Sequence, residues 1–194
     1  MKSLFALMVF TLVQFSAVAS PYKAGQHYLT LTHAPSIEPQ VMLFHSPFCG
    51  PCAMVHGPIM QIVKKHNATF REIIVGVGPV GRDVQEAFIV AKEQGLEKSF
   101  IEELIHRIHF RANHAPQYRE DFVEVLDTCG VQQDKFESRC QSVNDQVEDF
   151  NRLVKAYRIN ATPTIVVNGN KQVVLHRLNS FEDLDALIAE LLAS

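Results

Sequence analysis

The stretch FHSPFCGPCAMV, Phe44 to Val55, carries two cysteines, Cys49 and Cys52, with only Gly50 and Pro51 between them. A compact apolar run, PQVMLFHS, leads into it and reads as a buried strand. Apolar residues near helical spacing, Met54, Ile59, Ile62 and Val63, lead out of it, and Gly57-Pro58 within that run predicts a kink rather than an end. Cys49 therefore stands at a helix N-terminus, where unpaired backbone N–H groups and the helix dipole favour a thiolate. Pro51 suits the first turn, where it has no N–H bond to lose. The spacing brings both sulfurs within bonding reach while the helix shields Cys52. Cys49 is then the exposed nucleophile and leaving group, and Cys52 the resolving partner. A purely structural staple is the weaker reading, because so short a loop removes little chain entropy. A zinc site needs two more ligands; His45 or His56 stand near, but no second CxxC or suitably spaced HxxxH completes a set.

Working outward, YKAGQHYLTLTH suggests a short strand around Leu29 and Leu31, and TFREIIVGV a second buried strand. From Arg82 to Arg158 apolar residues recur at three and four positions. Helices are expected over 82–94, 97–111, 117–128, 132–141 and 143–158, punctuated by Gly95, by 113–116 and by Gly130. TPTIVVNGNKQVVLHR then places two β-branched runs around Asn168-Gly169-Asn170, a hairpin signature. Ser180 to Asp183 opens the tail LDALIAELL as a capping box opens a helix. The order is α/β with a helical block set into it.

The chain has 194 residues and begins MKSLFALMVFTLVQFSAVAS: one lysine, an apolar run, then Ala17-Val18-Ala19. This pattern reads as a secretory signal cleaved after Ala19, since the run falls short of the ~20 residues a bilayer span needs. What remains is 175 residues with a net charge of −4, so no basic excess suggests nucleic acid or a membrane surface. Export to an oxidising compartment lets disulfides persist, and spacing pairs Cys49 with Cys52 and Cys129 with Cys140, the second as a structural disulfide.

CGPC, with Thr162-Pro163 before the hairpin strand, resembles the thioredoxin superfamily, in which that proline is cis. YKAGQHYLTL, PQVMLFHSPFC, GRDVQEAFIVAKEQGLEKSF and PTIVVNGN are similar to the DsbA-like periplasmic thiol oxidases. The resemblance implies a thioredoxin fold with an inserted all-helical domain: a signal over 1–19, thioredoxin-fold parts over 20–81 and 151–194, and the insertion over 82–150. It further implies a periplasmic monomer that donates the Cys49–Cys52 disulfide to reduced exported proteins, with Thr162 and Pro163 presenting the substrate strand. A membrane-embedded, quinone-linked thiol oxidase would reoxidise it. No metal, cofactor or nucleic acid is implied. A reductase or isomerase on the same scaffold is the alternative, and a zinc-binding or chaperone-like module a more distant one.

Three positions depart from the oxidase pattern. Gly50-Pro51 stands where the best-known DsbA enzymes have proline-histidine, which removes one source of a low thiol pKa. Reduction potentials of about −120 mV for DsbA and about −270 mV for thioredoxin differ by ~7 kcal/mol for two electrons, so CGPC predicts a weaker oxidant. Leu43 occupies a strand position where many members bury an acid; His45, two residues on and on the same side, is the candidate modulator. Thr162 replaces a valine before the cis-proline.

Other motifs carry less. GVGPVG, Gly76 to Gly81, satisfies GxGxxG but lacks a well-placed acid, and the resemblance puts it in the loop entering the insertion. His106, His109 and His114 read as a solvated or packed face. NAT occurs at Asn67 and Asn160, the second explained by the proline loop that follows.

Overall fold

The computed structural model describes residues 20–112 and 114–194; the expected signal peptide lies outside them. Among the described residues five strands, β1 (Tyr28–Thr30), β2 (Gln40–His45), β3 (Thr69–Ile74), β4 (Thr164–Val167) and β5 (Lys171–Val173), form one sheet in the order β1-β5-β4-β2-β3. β2 and β3 run parallel, joined through α1 (Gly50–Lys65), and every other pairing is antiparallel. β2 and β4 read as continuous apolar runs because helices cover both faces of the sheet.

On one face Val41, Leu43, Ile165 and Val167 pack with α1 and with α7 (Phe181–Leu192). On the other, Met42, Phe44, Ile73 and Val166 share a single core with the helical block. That block comprises α2 (Gly81–Glu93), α3 (Glu97–Phe110), α4 (Arg119–Thr128), α5 (Asp134–Glu137) and α6 (Gln141–Ala156). This is the thioredoxin fold carrying an inserted helical domain. The helix expected over 132–141 shortens to the single turn of α5, ended by Arg139 in the left-handed region at φ 50°.

α1 continues through Pro58 to Lys65, and Asn67, at φ 51°, turns the chain beyond it. Its buried face is Cys52, Val55, His56, Ile59, Ile62 and Val63, a three-and-four spacing. Met54, expected in that stripe, instead lies 68% exposed beside the CGPC turn. Ser180 caps α7 by accepting from the Asp183 N–H at 3.1 Å, while the Asp183 carboxylate reaches back to the Asn179 N–H at 3.0 Å. The GVGPVG segment is a backbone crossing: a Cβ on Gly81 would come within 2.7 Å of the Gly76 carbonyl carbon. Close packing, not phosphate recognition, requires glycine there.

Candidate active site

Cys49 is the N-cap of α1, with extended backbone (φ −93°, ψ 115°), and its sulfur accepts from the Cys52 N–H at 3.4 Å. The strand-to-helix step read from FHSPFCGPC therefore places a sulfur where the first turn's free N–H groups point. The Cys49 thiol also donates to the Thr162 carbonyl at 3.4 Å, and the Thr162–Pro163 peptide is cis. The cysteine pair and the proline loop, 113 residues apart in sequence, thus meet at one spot.

The two thiols differ in their surroundings. Cys49 is part-exposed, whereas Cys52 has no exposed surface. Burial, reinforced by the neighbouring Cys49 sulfur, pushes the Cys52 thiol up to about 12, against opposing help from the Ser46 backbone and the Thr162 side chain. The outer sulfur is available to attack or be attacked, and the inner one holds its proton.

Beside the pair lies an apolar cleft of about 660 Å³, bordered by Pro51, Met54, Val55, Pro163, Leu175 and Phe181. Exposed Met54 and the 48%-exposed Phe181 stand on its wall. On the other side α3 supports the active-site turn: His109 Nε2 donates to the Pro47 carbonyl at 2.8 Å. The sequence places His109 only on a solvated or packed face, and no spacing links it to Pro47.

His45 and His56 are both buried, but they turn to each other and not to the cysteines. Each donates Nε2–H to the same oxygen of Glu72, at 2.6 Å from His45 and 2.8 Å from His56. Glu72 sits on β3 directly opposite Leu43, so the register supplies a buried acid to the strand position that β2 leaves apolar. Burial opposes its charge, but the two imidazole donors win and hold its carboxyl at about 2. His45 Nδ1 is buried without a partner. Sequence reasoning missed Glu72, because only strand pairing brings it to the histidines.

Cys129 and Cys140 remain free thiols in the structure, as do Cys49 and Cys52. Cys129 ends α4 near Glu103 and Arg107, and Cys140 caps α6 beside Ser142 and Lys135.

A family described as Thioredoxin matches residues 33–190. The chain belongs to the thioredoxin family. Among curated relatives of this family member, the thiol:disulfide interchange protein DsbA of Pectobacterium carotovorum is 24% identical over 181 residues, covering 89% of the chain and 86% of the relative. DsbA of Escherichia coli K12 is 24% identical over 184 residues, with the same shares covered. Among solved structures, DsbA of Klebsiella pneumoniae superposes with a TM-score of 0.79 at 22% identity, covering 91% of this chain and 100% of that one. SrgA of Salmonella enterica serovar Typhimurium gives 0.75 at 20% identity, covering 86% and 99%. Their fold is shared by this family member along nearly the whole described chain.

Proposed function

We propose that this thioredoxin-family protein is a thiol:disulfide interchange enzyme that donates its Cys49–Cys52 disulfide to cysteines of exported proteins. The observation that carries the reading is the asymmetry of the pair: a part-exposed Cys49 at the α1 N-cap, against the Thr162 carbonyl, with a buried Cys52 behind it. A substrate thiolate attacks Cys49 Sγ, and the Cys49–Cys52 bond breaks. Cys52 leaves with the electron pair and takes up a proton, as its raised pKa requires. A second substrate thiolate then attacks the substrate sulfur of the mixed disulfide, and Cys49 Sγ leaves with the electron pair. The substrate loses two electrons and the enzyme gains them. The cleft bordered by Met54 and Phe181 offers apolar contact to the chain flanking the reacting cysteine, with Thr162 and Pro163 presenting its backbone.

The setting is periplasmic, reached through a cleaved signal over residues 1–19, and reoxidation falls to a membrane-embedded, quinone-linked thiol oxidase acting on the monomer. Curated relatives named thiol:disulfide interchange proteins support the exchange reading. Gly50-Pro51 favours a second reading, a reductase or isomerase on the same scaffold. Equilibration in glutathione buffers decides between them: a potential below the about −120 mV of DsbA but well above about −250 mV is expected, and one near about −250 mV would replace the oxidase by a reductant. Cys52→Ala is expected to accumulate mixed disulfides through Cys49. Failure to trap any partner would leave a binding or chaperone-like module instead.

A further inference from the structure

We propose that His45, His56 and Glu72 form a buried binding site for one borderline divalent transition-metal ion, zinc above all, beneath the CGPC turn. Three separate elements aim one ligating atom each at a common point: the end of β2, the second turn of α1 and the middle of β3. One ligating atom from each residue lies within 4.8 Å of the other two, both Nε2 atoms reach the same Glu72 oxygen, and all three residues are buried. Two imidazole nitrogens and one carboxylate oxygen are a donor set that zinc takes, leaving one further coordination position. Calcium and magnesium, which want shells of oxygen, are poorly served by it.

The geometry needs little change to accept an ion. Metal–ligand bonds of about 2.0–2.1 Å in a tetrahedron set ligand atoms roughly 3.3 Å apart. The two Nε2–oxygen separations are 2.6 and 2.8 Å, so they open by roughly 0.5–0.7 Å as the cation replaces the two shared protons. Those protons pass to Nδ1. For His45 no hydrogen bond at Nδ1 has to be broken, because Nδ1 is buried without a partner, although the N–H it gains there is left unpaired. The same lack of an outer partner lowers the affinity, by about 10–100-fold relative to a fully supported site. His56 and Glu72 keep a few per cent of their surface exposed, which places the ion's path on their side of the cluster.

The site does not depend on which way the cysteine pair moves electrons, so its test is separate from that of the redox function. Oxidised full-length protein, with the CGPC disulfide closed, is titrated with cobalt(II) and then zinc(II). Expected are one equivalent of bound cobalt, a tetrahedral-type visible spectrum without a thiolate-to-cobalt charge-transfer band, and displacement by zinc. Glu72→Gln and His56→Gln should each weaken binding by at least about 100-fold, more than loss of an outer partner does. Absence of stoichiometric uptake by the wild-type protein overturns the proposal. So does uptake that carries the thiolate band, or uptake that neither substitution weakens. Should either variant fail to fold, the wild-type stoichiometry and spectrum still decide.

Discussion

The two cysteine pairs sit on helix ends, yet only one of them is built for exchange. Cys49 and Cys52 share one helix, so the outer sulfur meets the free N–H groups of the turn that buries the inner one. Cys129 and Cys140 are divided between the C-terminal end of α4 and the N-terminal end of α6. Burial, with Glu103 nearby, pushes the Cys129 thiol up, whereas the Ser142 hydroxyl and first-turn N–H groups pull the part-exposed Cys140 thiol down. A low pKa alone therefore does not make a disulfide-exchange site. Cys140 has the helix terminus but lacks a buried partner on the next turn, a proline loop and an apolar cleft.

The sharpest break of this comparison is Cys49→Ser set beside Cys140→Ser. The first should abolish disulfide transfer to a reduced model substrate, by at least about 1,000-fold, an effect of over ~4 kcal/mol on the barrier. The second should leave the rate unchanged; a matching loss would put Cys140 in the reaction. Next in size is the pH response of Cys52. Its folded pKa lies above its ordinary value near 9, so the reduced protein holds a proton that the unfolded chain has released. Denaturant unfolding of reduced protein should thus show stability falling as pH rises from about 9 toward about 12, by at most ~1.4 kcal/mol per pH unit. Reduced Cys52→Ala should lack that slope.

Smaller still is the contrast within the second pair. Timed alkylation of reduced protein at neutral pH, mapped by mass spectrometry, should label Cys140 about tenfold faster or more than Cys129. Equal rates would mean that helix polarity and burial do not separate them. The smallest effect belongs to an ordinary cap: Ser180→Ala removes the oxygen that receives the Asp183 N–H and should cost about 1 kcal/mol in denaturant unfolding, with exchange unaffected.

What the sequence disclosed was local. CGPC between a strand and a helix, Asn168-Gly169 in a hairpin and Ser180 ahead of an apolar tail each act through neighbours within a few residues, and each sits as its residue types require. Helix α5 fell short because Arg139 entered the left-handed region, a choice that arginine does not announce. Long-range features were invisible: Glu72 meets His45 only through the β2–β3 register, and His109 meets Pro47 across 62 residues. Met54 fits a helical stripe in sequence yet points outward, because the groove beside α7 is open at that end.

The core shared by Met42, Phe44, Ile73 and Val166 with Phe88, Phe100 and Phe122 bears on how this protein can be recombined. The insertion has covalent seams at its two ends but no thermodynamic one. Excising it would strip an entire sheet face, so sheet and insertion melt as one cooperative unit. Grafting a relative's helical block therefore means transplanting the matching half of the β-sheet surface along with it.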